Sequence, residues 1–226
     1  MILAVIPARY DSTRLPGKAL AEIGGTPMVV RVWERVRRAR GVGRVVVATD
    51  DERIARAAAS YGAEVVMTGT CASGTDRVAA AALGQGARVV VNVQGDEPFV
   101  EPDHVDLLAD AVTADTPIAT LSAPLLGDPA DPARVKVVCD ARGRALYFSR
   151  QPLPRARLHL GLYAFSAEAL AGCTALPPSP LEQAERLEQL RWLEAGWAIR
   201  VVPVAKATLS VDTPADLERA RAMAAR

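Results

Sequence analysis

Histidine, cysteine and aromatic side chains are scarce in this sequence, and neither sign of charge is in excess. Two histidines and three cysteines, Cys71, Cys139 and Cys173, are too few and too widely spaced for a Cys/His zinc site or a disulfide framework. We therefore expect reduced thiols in a cytoplasmic protein. Lys plus Arg number 27 and Asp plus Glu number 26, a balance that argues against a protein that coats nucleic acid.

Long apolar runs are also missing. The apolar start, residues 1–6, is too short for the core of a signal peptide, and no other run approaches membrane-spanning length. We therefore predict no membrane insertion. Half of the 226 residues are apolar, which suffices for the buried core of one large α/β domain.

Short apolar strands alternate with amphipathic helices in the first half of the chain. The strand candidates are residues 2–6, 44–48, 64–67 and 88–93, and the helix candidates are 27–40, 51–61 and 75–83. Strands that are apolar on both faces and separated by helices indicate a Rossmann-like, mainly parallel sheet flanked by helices.

The pattern changes after residue 116. Strand candidates at 117–125, 134–140, 145–149 and 158–165 are divided by turn residues, with a hairpin turn at 141–143. A helix at 180–193, a strand at 199–204 and a helix at 214–225, capped by Asp212 or Thr213, follow. We predict a single α/β domain over residues 1–226, with a nucleotide-binding core and a small, partly antiparallel extension after residue 116.

The most informative segment is the loop that follows the first strand, Arg9-Tyr10-Asp11-Ser12-Thr13-Arg14-Leu15-Pro16-Gly17-Lys18. Open α/β sheets place ligands at the carboxyl ends of their strands. Cationic side chains and backbone N–H groups made accessible by a small residue suit a triphosphate, whereas a solvated basic loop is the alternative. The position after the first strand favours phosphate binding.

Three further clusters carry polar side chains. Ser73-Gly74-Thr75-Asp76-Arg77 lies at a predicted helix start, where the free N–H groups suit an anion and a simple N-cap is the alternative. Gln94-Gly95-Asp96-Glu97-Pro98 follows a strand, so Asp96 or Glu97 is placed to hold Mg²⁺, unless both only line a turn. Val211-Asp212-Thr213-Pro214-Ala215-Asp216-Leu217 is typical of a capped helix.

Together these four motifs closely resemble those of the 3-deoxy-manno-octulosonate (Kdo) cytidylyltransferases, or CMP-Kdo synthetases. The resemblance spans nearly the whole chain and implies the nucleotide-diphospho-sugar transferase type of fold. It implies a single nucleotidyltransferase domain over residues 1–226, with an acceptor and dimerisation extension around 117–180. It implies that Arg9, Ser12, Arg14, Lys18, Ser73, Arg77 and Gln94 bind the nucleotide. It also implies that Asp96 and Asp212 hold Mg²⁺ and that Arg9, Lys18, Asp96 and Asp212 are catalytic.

On the acceptor side the resemblance implies Gln94, His159, Tyr163, Glu188 and Gln189. Arg150 is a further candidate, because its guanidinium suits either a substrate carboxylate or a surface acid. The chain differs from the family in having Cys71 where a histidine is usual, and it is a shortened member around residues 154–178.

The function implied is transfer of CMP from CTP to the anomeric hydroxyl of Kdo, with release of pyrophosphate, for lipopolysaccharide or a related polysaccharide. A different acidic sugar, such as 8-amino-Kdo or a sialic-type acid, and a non-catalytic nucleotide-binding homologue are the alternatives. The resemblance also implies a homodimer, with CTP and an acidic sugar as the other partners.

Overall fold

A computed structural model describes residues 1–225 of the chain. The strands, in chain order, are β1 (Ile2–Pro7), β2 (Glu22–Ile23), β3 (Thr26–Pro27), β4 (Arg44–Thr49), β5 (Glu64–Met67), β6 (Val89–Asn92), β7 (Ile118–Ala123), β8 (Lys136–Cys139), β9 (Ala145–Ser149), β10 (Arg157–Ser166) and β11 (Ile199–Pro203). The α-helices are α1 (Met28–Val36), α2 (Glu52–Ser60), α3 (Gly74–Ala82), α4 (Pro102–Asp110), α5 (Ala167–Thr174), α6 (Pro180–Glu185), α7 (Gln189–Glu194) and α8 (Pro214–Ala224), and a short 3₁₀ helix spans Lys18–Leu20.

The chain packs as two compact units, of which the first comprises residues 1–106 and 208–225. Four of its strands follow the order β6-β1-β4-β5 and pair in parallel, and β2 and β3 form a separate antiparallel pair. Helices α1, α2 and α3 pack on the parallel strands, so β6, most of β1 and the second half of β4 are buried, whereas no residue of the edge strand β5 is fully buried. On α1 the predicted apolar face is confirmed, because Val29, Val30, Trp33 and Val36 are buried.

The returning chain after residue 207 belongs to this first unit. Val211 and Leu217 pack with Ile23 and Met28 in a buried apolar cluster. Thr213 begins α8 as its N-cap: its side chain accepts from the Asp216 N–H, and the Asp216 carboxylate accepts from the Thr213 N–H. Of the two predicted caps, Thr213 is therefore correct and Asp212 is left with its carboxylate available.

The second unit, residues 107–207, has a mostly antiparallel sheet. Strand β7 pairs in parallel with β11 and antiparallel with β10, which in turn pairs antiparallel with β8. Strands β8 and β9 form a hairpin whose turn includes Gly143, at φ 76°. The predicted α/β class, with its parallel sheet and partly antiparallel extension, is confirmed, whereas the single-domain organisation stays a prediction.

One predicted element is wrong. Residues 180–193 do not form a continuous helix: α6 ends where Arg186 takes a left-handed conformation, φ 55° and ψ 48°, and α7 begins at Gln189. The reason is a tertiary contact, since the Glu185 carboxylate accepts from the Ser149 hydroxyl at 2.7 Å and from the Arg150 N–H at 2.9 Å. No helix within residues 1–225 is both long and apolar enough to span a bilayer.

Candidate active site

The site in the first unit begins where two neighbouring strands end. Strands β1 and β6 are adjacent and parallel, with Val5 opposite Asn92, so the segments that follow them leave the same edge of the sheet. They approach so closely that a Cβ on Gly95 would lie 2.8 Å from the carbonyl oxygen of Pro7. Glycine at position 95 therefore lets the acidic segment that follows lie beside the basic loop.

The basic loop has a defined internal structure. Gly17, at φ 69°, precedes the 3₁₀ helix, and its N–H donates to the Tyr10 carbonyl at 3.2 Å. The Tyr10 ring in turn carries the guanidinium of Arg53, 3.3 Å from the ring centroid, at the start of α2. These contacts fix the loop at both ends and direct Lys18, the first residue of the 3₁₀ helix, towards the acidic segment.

Lys18 lies between two carboxylates that come from opposite parts of the sequence. Its Nζ is 2.6 Å from Asp96 Oδ2 and 3.1 Å from Asp212 Oδ1. Burial opposes the charged ammonium, but the carboxylates of Asp96 and then Asp212 outweigh it, so the pKa of Lys18 lies above its ordinary value. Arg14 adds a second cation, 3.1 Å from the same oxygen of Asp212. The two predicted metal ligands thus meet at the Lys18 ammonium, and their binding of Mg²⁺ stays a prediction.

Backbone contacts hold Asp212 at this position. The N–H of the preceding residue, Val211, donates to the Asp96 carbonyl at 2.9 Å, while its side chain is buried. On the other side, the Asp212 N–H donates to the Asp216 carboxylate at 3.2 Å. The two aspartates are thus brought together by main-chain bonds, which leaves their carboxylates for the cavity.

Glu97, the alternative metal ligand, lies in a different environment. Its side chain accepts from the Thr208 hydroxyl at 3.0 Å, and the residue is only 8% exposed. Burial raises the pKa of Glu97 to about 8, with a smaller contribution from the charge of Asp96. The geometry favours Asp96 over Glu97 as the partner of Asp212.

A cavity of about 470 Å³ adjoins this cluster. It is lined by the basic loop, the start of α3 and the two aspartates: Pro7, Ala8, Arg9, Ser12, Thr13, Arg14, Lys18, Ala19, Cys71, Ala72, Ser73, Gly74, Arg77, Gln94, Gly95, Asp96 and Asp212. Every nucleotide-binding residue predicted from the sequence is in this set. Cys71, which replaces the family histidine, lines the cavity with its thiol donating to the Gly69 carbonyl at 3.4 Å.

Two of the lining residues also have structural roles. The Ser73 side chain accepts from the Asp76 N–H at 3.1 Å, so the predicted N-cap at the start of α3 is present. Arg77 is buried, and its guanidinium donates to Thr68 at 2.5 Å and to Asp50 at 2.8 Å. Sequence reasoning missed Asp50, although an acid directly after the apolar strand β4 was a usable signal.

The donor set fits Mg²⁺ because its hard carboxylate oxygens converge on a point that already accommodates a cation, the Lys18 ammonium. Within residues 1–225 no group of three or more His, Cys, Asp or Glu side chains gathers as a metal site. Mg²⁺ commonly binds to one or two carboxylates together with phosphate oxygens and water, so Asp96 and Asp212 are an adequate protein contribution.

Comparison with known proteins assigns the chain to one enzyme family. Residues 3–201 match the family model described as cytidylyltransferase. The chain belongs to this family. A relative from Anaeromyxobacter dehalogenans, named 3-deoxy-manno-octulosonate cytidylyltransferase, is 49% identical over 236 residues, covering 99% of this chain and 98% of its own. A relative of the same name from Synechococcus elongatus is 49% identical over 240 residues, with the same coverage.

Solved structures of cytidylyltransferases agree with this assignment. A CMP:2-keto-3-deoxy-manno-octonic acid synthetase complexed with CTP superimposes with a TM-score of 0.94 at 44% identity, covering 99% of this chain and 98% of the other. A cytidylyltransferase from Leptospira borgpetersenii, at 19% identity and a TM-score of 0.68, shares the fold and covers 97% of this chain and 84% of its own.

The acceptor residues predicted for this cytidylyltransferase, apart from Gln94, lie in the second unit. The Arg150 guanidinium donates to the carbonyls of Glu185 and Pro132 at 3.2 and 2.9 Å, contacts with backbone and not with the surface acid of the alternative, and its pairing with a substrate carboxylate stays a prediction. Gln189, the first residue of α7, is buried, and Glu188 immediately precedes it. Their roles towards the acceptor stay predictions.

His159 and Tyr163 belong to an aromatic cluster in that unit. The His159 ring lies 4.9 Å from the Phe148 ring and 5.5 Å from the Tyr163 ring, with Nε2 3.0 Å from the Thr120 hydroxyl. Burial lowers the pKa of His159 to about 3 and raises that of Tyr163 well above its ordinary value. Both side chains are therefore neutral at physiological pH.

Proposed function

We propose that this cytidylyltransferase transfers CMP from CTP to the anomeric hydroxyl of 3-deoxy-D-manno-octulosonate and releases pyrophosphate. The observation that carries the proposal is the convergence of Asp96 and Asp212 on the Lys18 ammonium, at a cavity lined by the basic loop. The names of the relatives and the CTP complex of a related synthetase support the choice of nucleotide and sugar.

The reaction is an in-line displacement at the α-phosphorus. The anomeric oxygen forms a new P–O bond and its hydroxyl proton passes to solvent, while the bond from the α-phosphorus to the bridging oxygen breaks and pyrophosphate leaves with that electron pair. Lys18, Arg9 and Arg14 are placed to stabilise the charge on the leaving group, because all three line the cavity beside the aspartates. Arg9 and Arg14 are exposed, so they are accessible to an incoming triphosphate.

Mg²⁺ is part of the proposal, with Asp96 and Asp212 as its protein ligands. When bound, the ion supplies positive charge to the phosphate oxygens and lowers the cost of bringing an anionic nucleotide to two carboxylates. Lys18 would then be able to pair with the phosphates, because a bound Mg²⁺ would balance the charge of the two aspartates that Lys18 otherwise neutralises. In this proposal Asp96 and Asp212 pair with Lys18 before the nucleotide binds and with Mg²⁺ afterwards, and Lys18 pairs first with the aspartates and then with the phosphates.

The product would be consumed by a glycosyltransferase that builds lipopolysaccharide or a related polysaccharide. The homodimer rests on the family resemblance, and the cytoplasmic location on the sequence reasoning about thiols. All three cysteines are free.

The direct test is pyrophosphate release from CTP with Mg²⁺ and Kdo, compared with 8-amino-Kdo and a sialic-type acid. We expect turnover with CTP and Kdo, and loss of about 100-fold or more in Asp96→Asn, because a metal interaction contributes several kcal/mol to transition-state stability. Glu64→Gln on β5 is a control of the same chemical type outside the cavity. Full turnover by folded Asp96→Asn would refute the metal assignment, and preference for another acid would refute the acceptor.

A further inference from the structure

A buried contact joins the two segments that carry the aspartates. Glu97 directly follows Asp96, and Thr208 lies four positions before Asp212, yet the Thr208 hydroxyl donates to Glu97 Oε2 at 3.0 Å. The two residues are 111 positions apart in the sequence. The Ser210 hydroxyl also hydrogen-bonds the Glu97 side chain and lies 3.5 Å from the Asp96 carbonyl oxygen.

This contact is placed to control the separation of the aspartates. Between Thr208 and Asp212 the chain is tied to the acidic segment by two side-chain hydroxyls and by the Val211 N–H. The link is largely shielded from water, since Glu97 is 8% exposed, so breaking it leaves unpaired polar groups inside the unit. Neither Glu97 nor Thr208 is among the residues that line the cavity.

We infer that Glu97 is a positioning residue, which acts through the hydroxyls of Thr208 and Ser210 to hold Asp212 at the distance from Asp96 that a shared divalent cation requires. The inference rests on the proposed function for the identity of the metal site. Partners that orient a metal's ligands typically contribute 10- to 100-fold to metal affinity or activity, although they do not touch the ion.

The test uses two matched pairs of variants in the full-length protein. Thr208→Val removes the hydroxyl at nearly constant volume, and Thr208→Ser keeps it. Glu97→Leu removes the acceptor, and Glu97→Gln keeps an amide oxygen in its place. Binding of Mn²⁺ in the presence of CTP is measured by electron paramagnetic resonance, and the Mg²⁺ concentration for half-maximal turnover is measured separately.

We expect Thr208→Val and Glu97→Leu to weaken Mn²⁺ binding about 10- to 100-fold and to raise the half-saturating Mg²⁺ concentration to match. Thr208→Ser and Glu97→Gln should stay within about threefold of the unmodified protein. The double variant Glu97→Leu/Thr208→Val should lose no more than the worse single variant, because both changes remove the same link.

Several outcomes would overturn the inference. Native Mn²⁺ binding in folded Thr208→Val would do so, as would a lowered Tm and kcat with an unchanged Mg²⁺ requirement, which a purely structural role predicts. Loss of metal in Glu97→Gln with none in Thr208→Val would make Glu97 a direct ligand instead. If Glu97→Leu does not fold, the comparison of Thr208→Val with Thr208→Ser decides whether the inference holds.

The same measurements separate this inference from the proposed reaction. Mn²⁺ binding that follows the expected order, without turnover of Kdo, would refute the acceptor and retain the positioning role. No Mn²⁺ binding by the unmodified protein with CTP would refute the metal site, and the inference with it.

Discussion

Lys18 Nζ lies 2.6 Å from Asp96 Oδ2, so an ammonium group of the protein lies where a metal-binding carboxylate would meet its ion. The pair is largely shielded, with the Lys18 side chain only 17% exposed. The ammonium therefore neutralises the site while the phosphates are absent, and it competes with any cation that binds to the carboxylates alone.

Removing this internal cation should change how the protein responds to Mg²⁺. In Lys18→Met the carboxylates of Asp96 and Asp212 repel each other, so we expect a loss of about 1–3 kcal/mol in the free energy of unfolding without metal. Millimolar Mg²⁺ without CTP should raise the Tm of this variant more than that of the unmodified protein. Thermal unfolding with and without Mg²⁺ measures both effects.

Lys206→Met is the control for that experiment, since Lys206 is exposed and forms no ion pair with any of residues 1–225. Its Tm should respond to Mg²⁺ as the unmodified protein does. Equal Mg²⁺ responses in Lys18→Met and Lys206→Met would show that the ammonium does not compete for the site.

Gly95 offers a test of the close approach between the two strand ends. A Cβ at this position would lie 2.8 Å from the Pro7 carbonyl oxygen, a backbone atom that cannot move without shifting β1. We expect Gly95→Ala to cost about 1–3 kcal/mol in the free energy of unfolding, as overpacking commonly does. Chemical denaturation monitored by circular dichroism gives the value.

Gly69→Ala is the matched control, because a Cβ at Gly69 would meet nothing within 4 Å. This variant should unfold within about 0.5 kcal/mol of the unmodified protein. A Gly95→Ala variant that is just as stable would mean that the two segments do not lie as close as described.

His159 should make the protein sensitive to acid. Its pKa is about 3 when folded and about 6.5 when unfolded. Between these two pKa values His159 is protonated in the unfolded chain and neutral in the folded protein. The free energy of unfolding therefore falls as the pH falls through about 6.5 towards 3. At pH 5 the loss relative to neutral pH is roughly 2 kcal/mol from this residue. In His159→Gln, which cannot titrate, the pH 7.5-to-5 decrease should be smaller by that amount.

Denaturant unfolding of the unmodified protein and of His159→Gln at pH 7.5 and pH 5 measures both decreases. The carboxylates contribute almost equally to each decrease, so their contribution largely cancels in the comparison. An identical decrease in both proteins would show that His159 titrates normally when folded.

Arg186 is a site where stability can be gained. Its left-handed conformation costs a non-glycine residue about 1–2 kcal/mol, of which glycine would recover part after its larger entropy loss. We expect Arg186→Gly to raise the free energy of unfolding by about 0.5–1 kcal/mol, and Arg186→Val to lower it because β-branched residues are strained there. If residue 186 lay within a continuous helix, Arg186→Val would instead be more stable than Arg186→Gly.

The parallel strands could be predicted from sequence because strands buried on both faces are apolar, as β1 is throughout and β6 is up to Asn92. Helices α4 and α5 received no prediction, although Pro102 at the start of α4 is a usable signal. The hairpin of β2 and β3 has strands of only two residues, which are too short to show a period. The break at Arg186 depends on contacts of Glu185 with residues over 30 positions away.

The candidate site likewise combines motifs that can be read from local sequence with contacts that cannot. The four motifs identify the family and predict nucleotide-binding residues that all line the cavity, because each motif is local in sequence. The contacts of Lys18 with Asp96 and Asp212 span 78 and 194 positions, and the Glu97–Thr208 bond spans 111, so no local pattern predicts them. Glu97 illustrates the limit: its sequence position suggests a ligand, whereas its burial separates it from the cavity.

The return of the chain to the first unit has a consequence for biosynthesis. On the ribosome, the segment with Lys18 and Asp96 emerges well before Asp212, because residues 107–207 are translated in between. A nascent chain that stops short of position 212 has the basic loop and Asp96, and thus only one of the two carboxylates that meet Lys18. If Asp96 and Asp212 hold a divalent ion as proposed, that ion and CTP can assist folding through both aspartates only after the late segment has been translated.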